Sequence, residues 1–299
     1  MRLVCGINQL VTPPEPPIPG TAALGQVYLK TSRQDLRMKK LLKSIARSIL
    51  PTGVATRLRR RNARRARKDQ ELELLPAFSS AGCFVDIGAN VGLWSATGAR
   101  YFSRIVAFEP SQSLALGLQR SLPHNVEVIS VALSDHDGTA TFSTPILDGA
   151  IRDTRATLEA TAVEDGSAVV ETVKIRTLDS FELADIDLIK IDVEGHEEGV
   201  LLGAQKTIDR EKPVLIIEIE ERHHLGKSEE IANSLVTLGY NMFYLKDGSL
   251  KASFAREIEM LQSCSSERSR QINNFIFIHR EKLDSYEGRI AESGISILR

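Results

Sequence analysis

The chain has 299 residues, 42% of them hydrophobic, enough for one large domain or two small ones with a sizeable core. Its formal net charge of −1 conceals an asymmetry: residues 30–68 hold 15 Lys/Arg against the single acid Asp35, whereas residues 69–299 hold 22 Lys/Arg against 37 acids. An acidic body excludes broad phosphate-backbone binding by its own surface, three cysteines without a CxxC pair exclude a disulfide or zinc framework and read as a reducing compartment, and the lack of any run near 18 apolar residues excludes a transmembrane helix.

Residues 1–37 include Pro13-Pro14-Glu15-Pro16-Pro17-Ile18-Pro19-Gly20, which suits neither helix nor sheet. They are expected as a disordered tail, carry no secretory signal, and leave Met38 as an alternative translation start. Residues 38–50 place Met38, Leu41, Leu42, Ile45 and Ile49 on one helical face, with Lys39, Lys40, Lys43 and Arg47 elsewhere. Pro51 and Gly53 break that pattern, and Arg57 to Lys68 then adds eight basic residues and no acid. A basic helical arm over 38–68 is expected. It could contact an anionic membrane or partner, or be a solvated helix on the acidic body. Nucleic acid is not an expected partner, because aromatic residues do not interleave the charges.

Residues 69–79 read as a helix leading into a first strand at 83–87. The stretch Phe84-Val85-Asp86-Ile87-Gly88-Ala89-Asn90-Val91-Gly92 then passes from strand through a glycine turn to a helix over 91–101. Strand, glycine turn and helix open a nucleotide-binding βαβ unit. A dinucleotide motif wants glycine at its first, third and sixth positions, and here those are Gly88, Asn90 and Leu93. Asp86 beside the turn suits a ligand carrying a cation, such as S-adenosylmethionine, and would repel the pyrophosphate of NAD. Alone, the motif is also compatible with an ordinary glycine turn capped by Asp or Asn. A second strand at 105–109 ends in Glu109-Pro110, and Glu109 lies 23 residues after Asp86, placed for ribose hydroxyls.

Farther on, a helix is expected over 112–121 and a third strand over 126–131. Asp135 to Gly138 is a turn cluster, and 139–142 alternates as an extra strand paired with 172–176. The irregular stretch 144–170 is long enough to serve as a substrate lid. A fourth, central strand spans 187–192, a fifth 214–218, and a helix 228–238. Asp247-Gly248 signals a hairpin between 240–245 and 249–254. A last strand covers 274–279, and the tail from residue 281 shows no period.

Phe84 to Gly92, Val106 to Pro110, Val131-Ala132-Leu133-Ser134-Asp135 and Asp187-Leu188-Ile189-Lys190-Ile191-Asp192-Val193-Glu194-Gly195-His196-Glu197 together resemble an FkbM-type methyltransferase over roughly residues 70–222. The resemblance implies an S-adenosylmethionine-dependent enzyme acting on sugar or polyketide hydroxyls. The implied fold class is α/β: a class I methyltransferase (Rossmann-like) doubly wound sheet, mostly parallel, with an antiparallel C-terminal strand and an inserted β-hairpin. The methyltransferase domain is then 69–281, with a C-terminal tail at 282–299. The implied cofactor-binding set is Asp86, Gly88, Asn90, Gly92, Glu109, Ser134 and Asp135.

Asp86, Glu109, Asp192 and Glu218 all fall at carboxyl ends of parallel strands, where ligands bind in open α/β sheets. Lys190 and Asp192 could instead be only an ion pair. Methyl transfer needs alignment and removal of a hydroxyl proton. Asp192, Glu194 and His196 are the candidates: Asp192 orients, Glu194 positions the acceptor, and His196 is the base or a structural histidine. Asp192 with Glu218 is a weaker candidate for Mg²⁺, and no other metal ligands are evident. The expected function is O-methylation of a sugar, glycan or other small-molecule hydroxyl, with an NAD- or nucleotide-sugar-linked oxidoreductase as the alternative. The expected location is cytoplasmic, with peripheral attachment at the inner membrane surface as an option.

Overall fold

The computed structural model describes residues 51–65, 69–147, 150–151, 158, 168–224, 226–263 and 271–298. The expected tail 1–37, the helix 38–50 and much of the expected lid lie outside the described residues.

In chain order the parallel strands are β1 (Cys83–Ile87), β2 (Arg104–Phe108), β3 (Val126–Ile129), β8 (Ile186–Ile191) and β9 (Val214–Glu218). Between β3 and β8 come β4 (Ala132–Leu133), β5 (Gly138–Leu147), β6 (Ala150–Ile151) and β7 (Ala168–Arg176). After β9 come β10 (Tyr240–Lys246), β11 (Ser249–Ser253), β12 (Asn274–His279) and β13 (Ser296–Leu298). The main sheet has the order β13-β11-β10-β12-β9-β8-β1-β2-β3, and β4-β7-β5-β6 forms a second, smaller sheet.

The expected doubly wound α/β architecture is present. β1 lies parallel between β2 and β8, as the near-continuous apolar runs require of strands covered on both faces. Cys83, Val85 and Ile87 pack into one core, and Phe84 packs into the other. The first core is covered by α5 (Glu197–Leu202), α6 (Gln205–Glu211) and α8 (Ser228–Thr237), through Val200, Ile208 and Leu235. The second is covered by α2 (Leu75–Phe78), α3 (Leu93–Gly98) and α10 (Leu283–Glu292), through Phe78, Trp94 and Ile290. β12 enters antiparallel between β9 and β10.

Several elements differ from their sequence-based expectation. The helix expected over 69–79 is a 3-10 turn, Gln70–Leu74, followed by the short α2, where Pro76 sits in the first turn. The third strand stops at Ile129, and Ala132–Leu133 joins the second sheet. The stretch expected to be irregular from 144 to 170 is strand at both ends, since β5 and β7 pair from Gly138↔Ile175 to Pro145↔Ala168. The tail expected at 282–299 is built into the main sheet. Tyr286 and Ile290 bury one stripe of α10, with Tyr286 edge-on to Phe78, and β13 pairs with β11.

The expected basic arm also changes character. Residues Thr52–Arg65 form helix α1, which packs on α4 (Gln112–Gln119). The helices meet through small residues: a Cβ at Gly117 would lie 2.1 Å from Thr56 Oγ1, and one at Gly53 would lie 3.0 Å from Arg120 Cβ.

Candidate functional site

The glycine turn joins β1 to α3 across the carboxyl ends of the parallel strands. Gly88 has φ +81°, and a Cβ there would stand 1.9 Å from the carbonyl oxygen of Asp192, so only glycine lets β1 and β8 approach this closely. The turn's amides are consumed internally. Gly88 N and Ala89 N donate to Phe108 O at 3.1 and 3.0 Å, and Gly92 N donates to Ala89 O at 2.7 Å. Asn90 N donates to Glu109 Oε2 at 2.7 Å, and Ser111 N donates to Glu109 Oε1 at 2.9 Å. Glu109 thus clamps the turn to the end of β2.

Asp86 does not face the crevice. Alternation along β1 puts it on the side of Phe84, where it is buried. Its Oδ2 accepts from Ser95 N at 3.0 Å and from the Ser95 hydroxyl, within the first turn of α3. Burial, opposed by Lys190 and Ser95, pushes its pKa up. Its expected contact with a ligand cation is therefore replaced by a helix contact.

Lys190 is Asp86's cross-strand neighbour on β8. It is buried, its ammonium lies 2.7 Å from Asp192 Oδ2 and 5.2 Å from the centre of the Trp94 ring. Burial disfavours this cation, but Asp192, Asp86 and Glu218 more than offset it and hold the lysine pKa above its ordinary value. Asp192, with a side chain 31% exposed, stands at the crevice mouth. Burial would raise its pKa, and Lys190 outweighs that and holds it low. Glu218 follows Ile217, the β9 partner of Ile191, and its pKa is pushed well above its ordinary value, first by the Asp192 charge and then by burial. The two carboxyls are thus pushed in opposite directions, Asp192 toward the charged form and Glu218 toward the protonated form. Among the described residues no group of three or more His, Cys, Asp or Glu side chains is placed to hold a metal ion.

The other two catalytic candidates diverge from Asp192. Glu194, at φ +54°, swings toward β9, where Oε2 lies 3.3 Å from both Arg222 Nη2 and His223 Nε2. Burial raises its pKa. His196 swings the opposite way, and its Nε2 lies 2.9 Å from Ser134 Oγ. Ser134 Oγ in turn donates to Asp135 Oδ1 at 3.0 Å. A hydroxyl has one proton and a carboxylate only accepts, so Ser134 must accept from His196 Nε2–H. Nε2 of His196 therefore carries a proton directed at Ser134. Ser134 and Asp135 thus reach the site by holding His196.

Sequence reasoning missed Arg60 of α1, whose Nε donates to Val91 O at 2.9 Å and whose Nη2 donates to Ser121 Oγ at 2.9 Å. It also missed Arg222 and His223, on α7 (Glu221–His224). Nothing local in the sequence marks these contacts, which span 28 residues or more. Glu197 was legible as a reach-back residue: its Oε1 accepts from Val193 N and Gly195 N, both at 3.2 Å, and shapes the turn after β8.

The Methyltransferase FkbM domain model matches residues 86–265. No curated protein matches the sequence. Among solved structures, the methyltransferase FkbM from Methylobacillus flagellatus KT is 16% identical, with 67% of this chain and 44% of that chain aligned at a TM-score of 0.41. The aligned part is therefore less than half of that protein. A precorrin-8w decarboxylase from Methanobacterium thermoautotrophicum is 13% identical, with 70% of this chain and 89% of that chain aligned at a TM-score of 0.36. A precorrin-6y C5,15-methyltransferase from Geobacter metallireducens GS-15 is 13% identical, with 69% and 83% aligned at a TM-score of 0.34.

Proposed function

The chain belongs to the FkbM methyltransferase family, and from that premise we propose that it transfers a methyl group from S-adenosylmethionine to a hydroxyl of a sugar, glycan or other small molecule. The observation that carries the cofactor assignment is the state of the glycine turn. The amides of Gly88, Ala89, Asn90 and Gly92 all donate within the protein. A pyrophosphate needs such amides free. A turn that offers acceptors and carboxylates suits a ligand bearing an ammonium and a sulfonium. The same turn, short of a glycine at Leu93, counts against the dehydrogenase alternative.

S-adenosylmethionine supplies an activated methyl on its sulfonium, so the chain's work is alignment and proton removal. Glu109, fixed by two backbone amides at the end of β2, is the residue we assign to the ribose hydroxyls. Asp192 is ionised and opens onto the crevice beside Gly88. It takes the acceptor's hydroxyl proton as the oxygen–methyl bond forms and the sulfur–methyl bond breaks. This assignment moves the base from His196 to Asp192, because Ser134 holds His196 on the far flank. Glu218, whose neighbour Asp192 favours its protonated form, lies beside the base.

Calorimetric titration with S-adenosylhomocysteine and NAD side by side tests the cofactor. The homocysteine product should bind and NAD should not. Glu109→Ala should weaken binding by a factor of about 10 to 100, the loss of a charge-assisted hydrogen bond. With a hydroxyl acceptor in hand, Asp192→Asn should lower turnover about 10²- to 10⁴-fold. Binding of NAD in preference would refute the reading.

A further inference from the structure

We propose that the outer face of α1 docks the protein onto an anionic lipid surface. α1 uses only one side to hold the domain: Gly53, Thr56 and Arg60 face α4 and the glycine turn. At about 100° per residue, Val54, Leu58, Arg61 and Arg65 fall together in an arc of about 60° on the other side, flanked by Arg57. Val54 and Leu58 are 41% and 45% exposed. No acid occurs anywhere in Thr52–Arg65. Residues 30–50, which adjoin this helix in sequence, add seven basic residues against Asp35, while the rest of the chain is strongly acidic.

Two features select a lipid surface over other anions. The arc interleaves aliphatic and guanidinium side chains, in the order Arg61, Val54, Arg65 and Leu58 around the helix. A helix lying in a bilayer interface buries such aliphatic groups at the headgroup boundary while its long basic side chains reach the phosphates. A nucleic-acid backbone gains nothing from exposed valine and leucine, and the arc has no aromatic ring on which a base could stack. The acidic body would be repelled by the same surface, so docking is confined to this face and oriented by it.

Co-sedimentation of the full chain with vesicles tests the proposal. Vesicles containing phosphatidylserine should bind it in a salt-sensitive way, and pure phosphatidylcholine vesicles should not. A basic residue near an anionic surface contributes about fivefold to partitioning, so the triple variant Arg57→Glu, Arg61→Glu, Arg65→Glu should lower binding at least about hundredfold. Leu58→Glu should lower it about tenfold. Both variants should keep the wild-type melting temperature and affinity for S-adenosylhomocysteine, since none of these side chains touches the turn. Binding to anionic vesicles that neither variant reduces would overturn the proposal. So would binding that Leu58→Glu leaves intact and duplex DNA competes away, which would mark the face as a polyanion site.

Discussion

Arg60 and Val91 are joined by a 2.9 Å hydrogen bond from the guanidinium Nε to the backbone carbonyl, linking a helix outside the family-matched segment to the glycine turn inside it. The same guanidinium holds the Ser121 hydroxyl at 2.9 Å, and burial lowers its pKa to about 10, which leaves it charged at neutral pH. Arg60 is a positioning residue for the turn. Arg60→Ala should weaken S-adenosylhomocysteine binding about tenfold without changing the acceptor's KM. Arg60→Lys should recover only part of this, because an ammonium cannot reproduce the planar fork. An affinity within twofold of wild type in calorimetry would remove Arg60 from the cofactor site.

Glu71 gives the protein a pH-dependent stability. It is buried near Lys190, its Oε2 has no hydrogen-bond partner, and burial raises its pKa from 4.5 to about 7. The folded state keeps this proton to about pH 7, whereas the unfolded chain releases it near 4.5. The folded state therefore binds the extra proton in that window, and stability falls as pH rises through it. The full effect is at most about 3 kcal/mol. Glu71→Gln should flatten this contribution, so that denaturant melts at pH 8 and pH 4.5 differ less than in wild type. An unchanged difference would show that Glu71 ionises at its ordinary pKa.

The Ser134 hydroxyl sets the tautomer of His196. Long-range nitrogen–proton correlation spectra of the neutral imidazole should show the proton on Nε2. Ser134→Ala should yield a mixture of tautomers while leaving the fold intact. A wild-type imidazole protonated at Nδ1 would mean that Ser134 donates to the histidine and not to Asp135.

Gly88 has no tolerant substitute. Alanine there would meet both the left-handed φ and a backbone oxygen at 1.9 Å. Gly88→Ala should cost roughly 2–5 kcal/mol, read as a lower denaturant midpoint, and should part β1 from β8. A midpoint equal to wild type would mean that the two strands separate at little cost.

What was legible in the sequence follows from the range of the interactions. The sheet's parallel centre was readable because buried strands must be apolar on both faces, and Ile186–Ile191 and Val214–Glu218 broke that rule only at Lys190 and Glu218 of the site and at Asp187, which accepts from Ser80 N and Gly82 N at the other end of its strand. Glu109's relation to the turn was readable because the βαβ unit fixes the spacing. The direction of Asp86 was not, since an acid at a strand end can face crevice or helix and only Ser95 decides. The packing of α1 on α4 was not legible, because it runs through Gly53, Thr56 and Gly117, which leave no apolar period. α10 carried its stripe in Leu283, Tyr286 and Ile290, but three residues in a polar segment are a weak signal until Phe78 stands opposite.

The position of β12 has a consequence for synthesis on the ribosome. β9 ends at Glu218, yet the strand that covers its open edge ends only at His279, about 60 residues later. At roughly 5–20 residues per second, the apolar edge of β9 waits some 3–12 seconds for its partner. β10 and β11 emerge during that wait and can already pair with each other as a hairpin. The nascent chain must keep that hairpin from closing directly on β9, because the order β10-β12-β9 leaves the place between them for a strand not yet made.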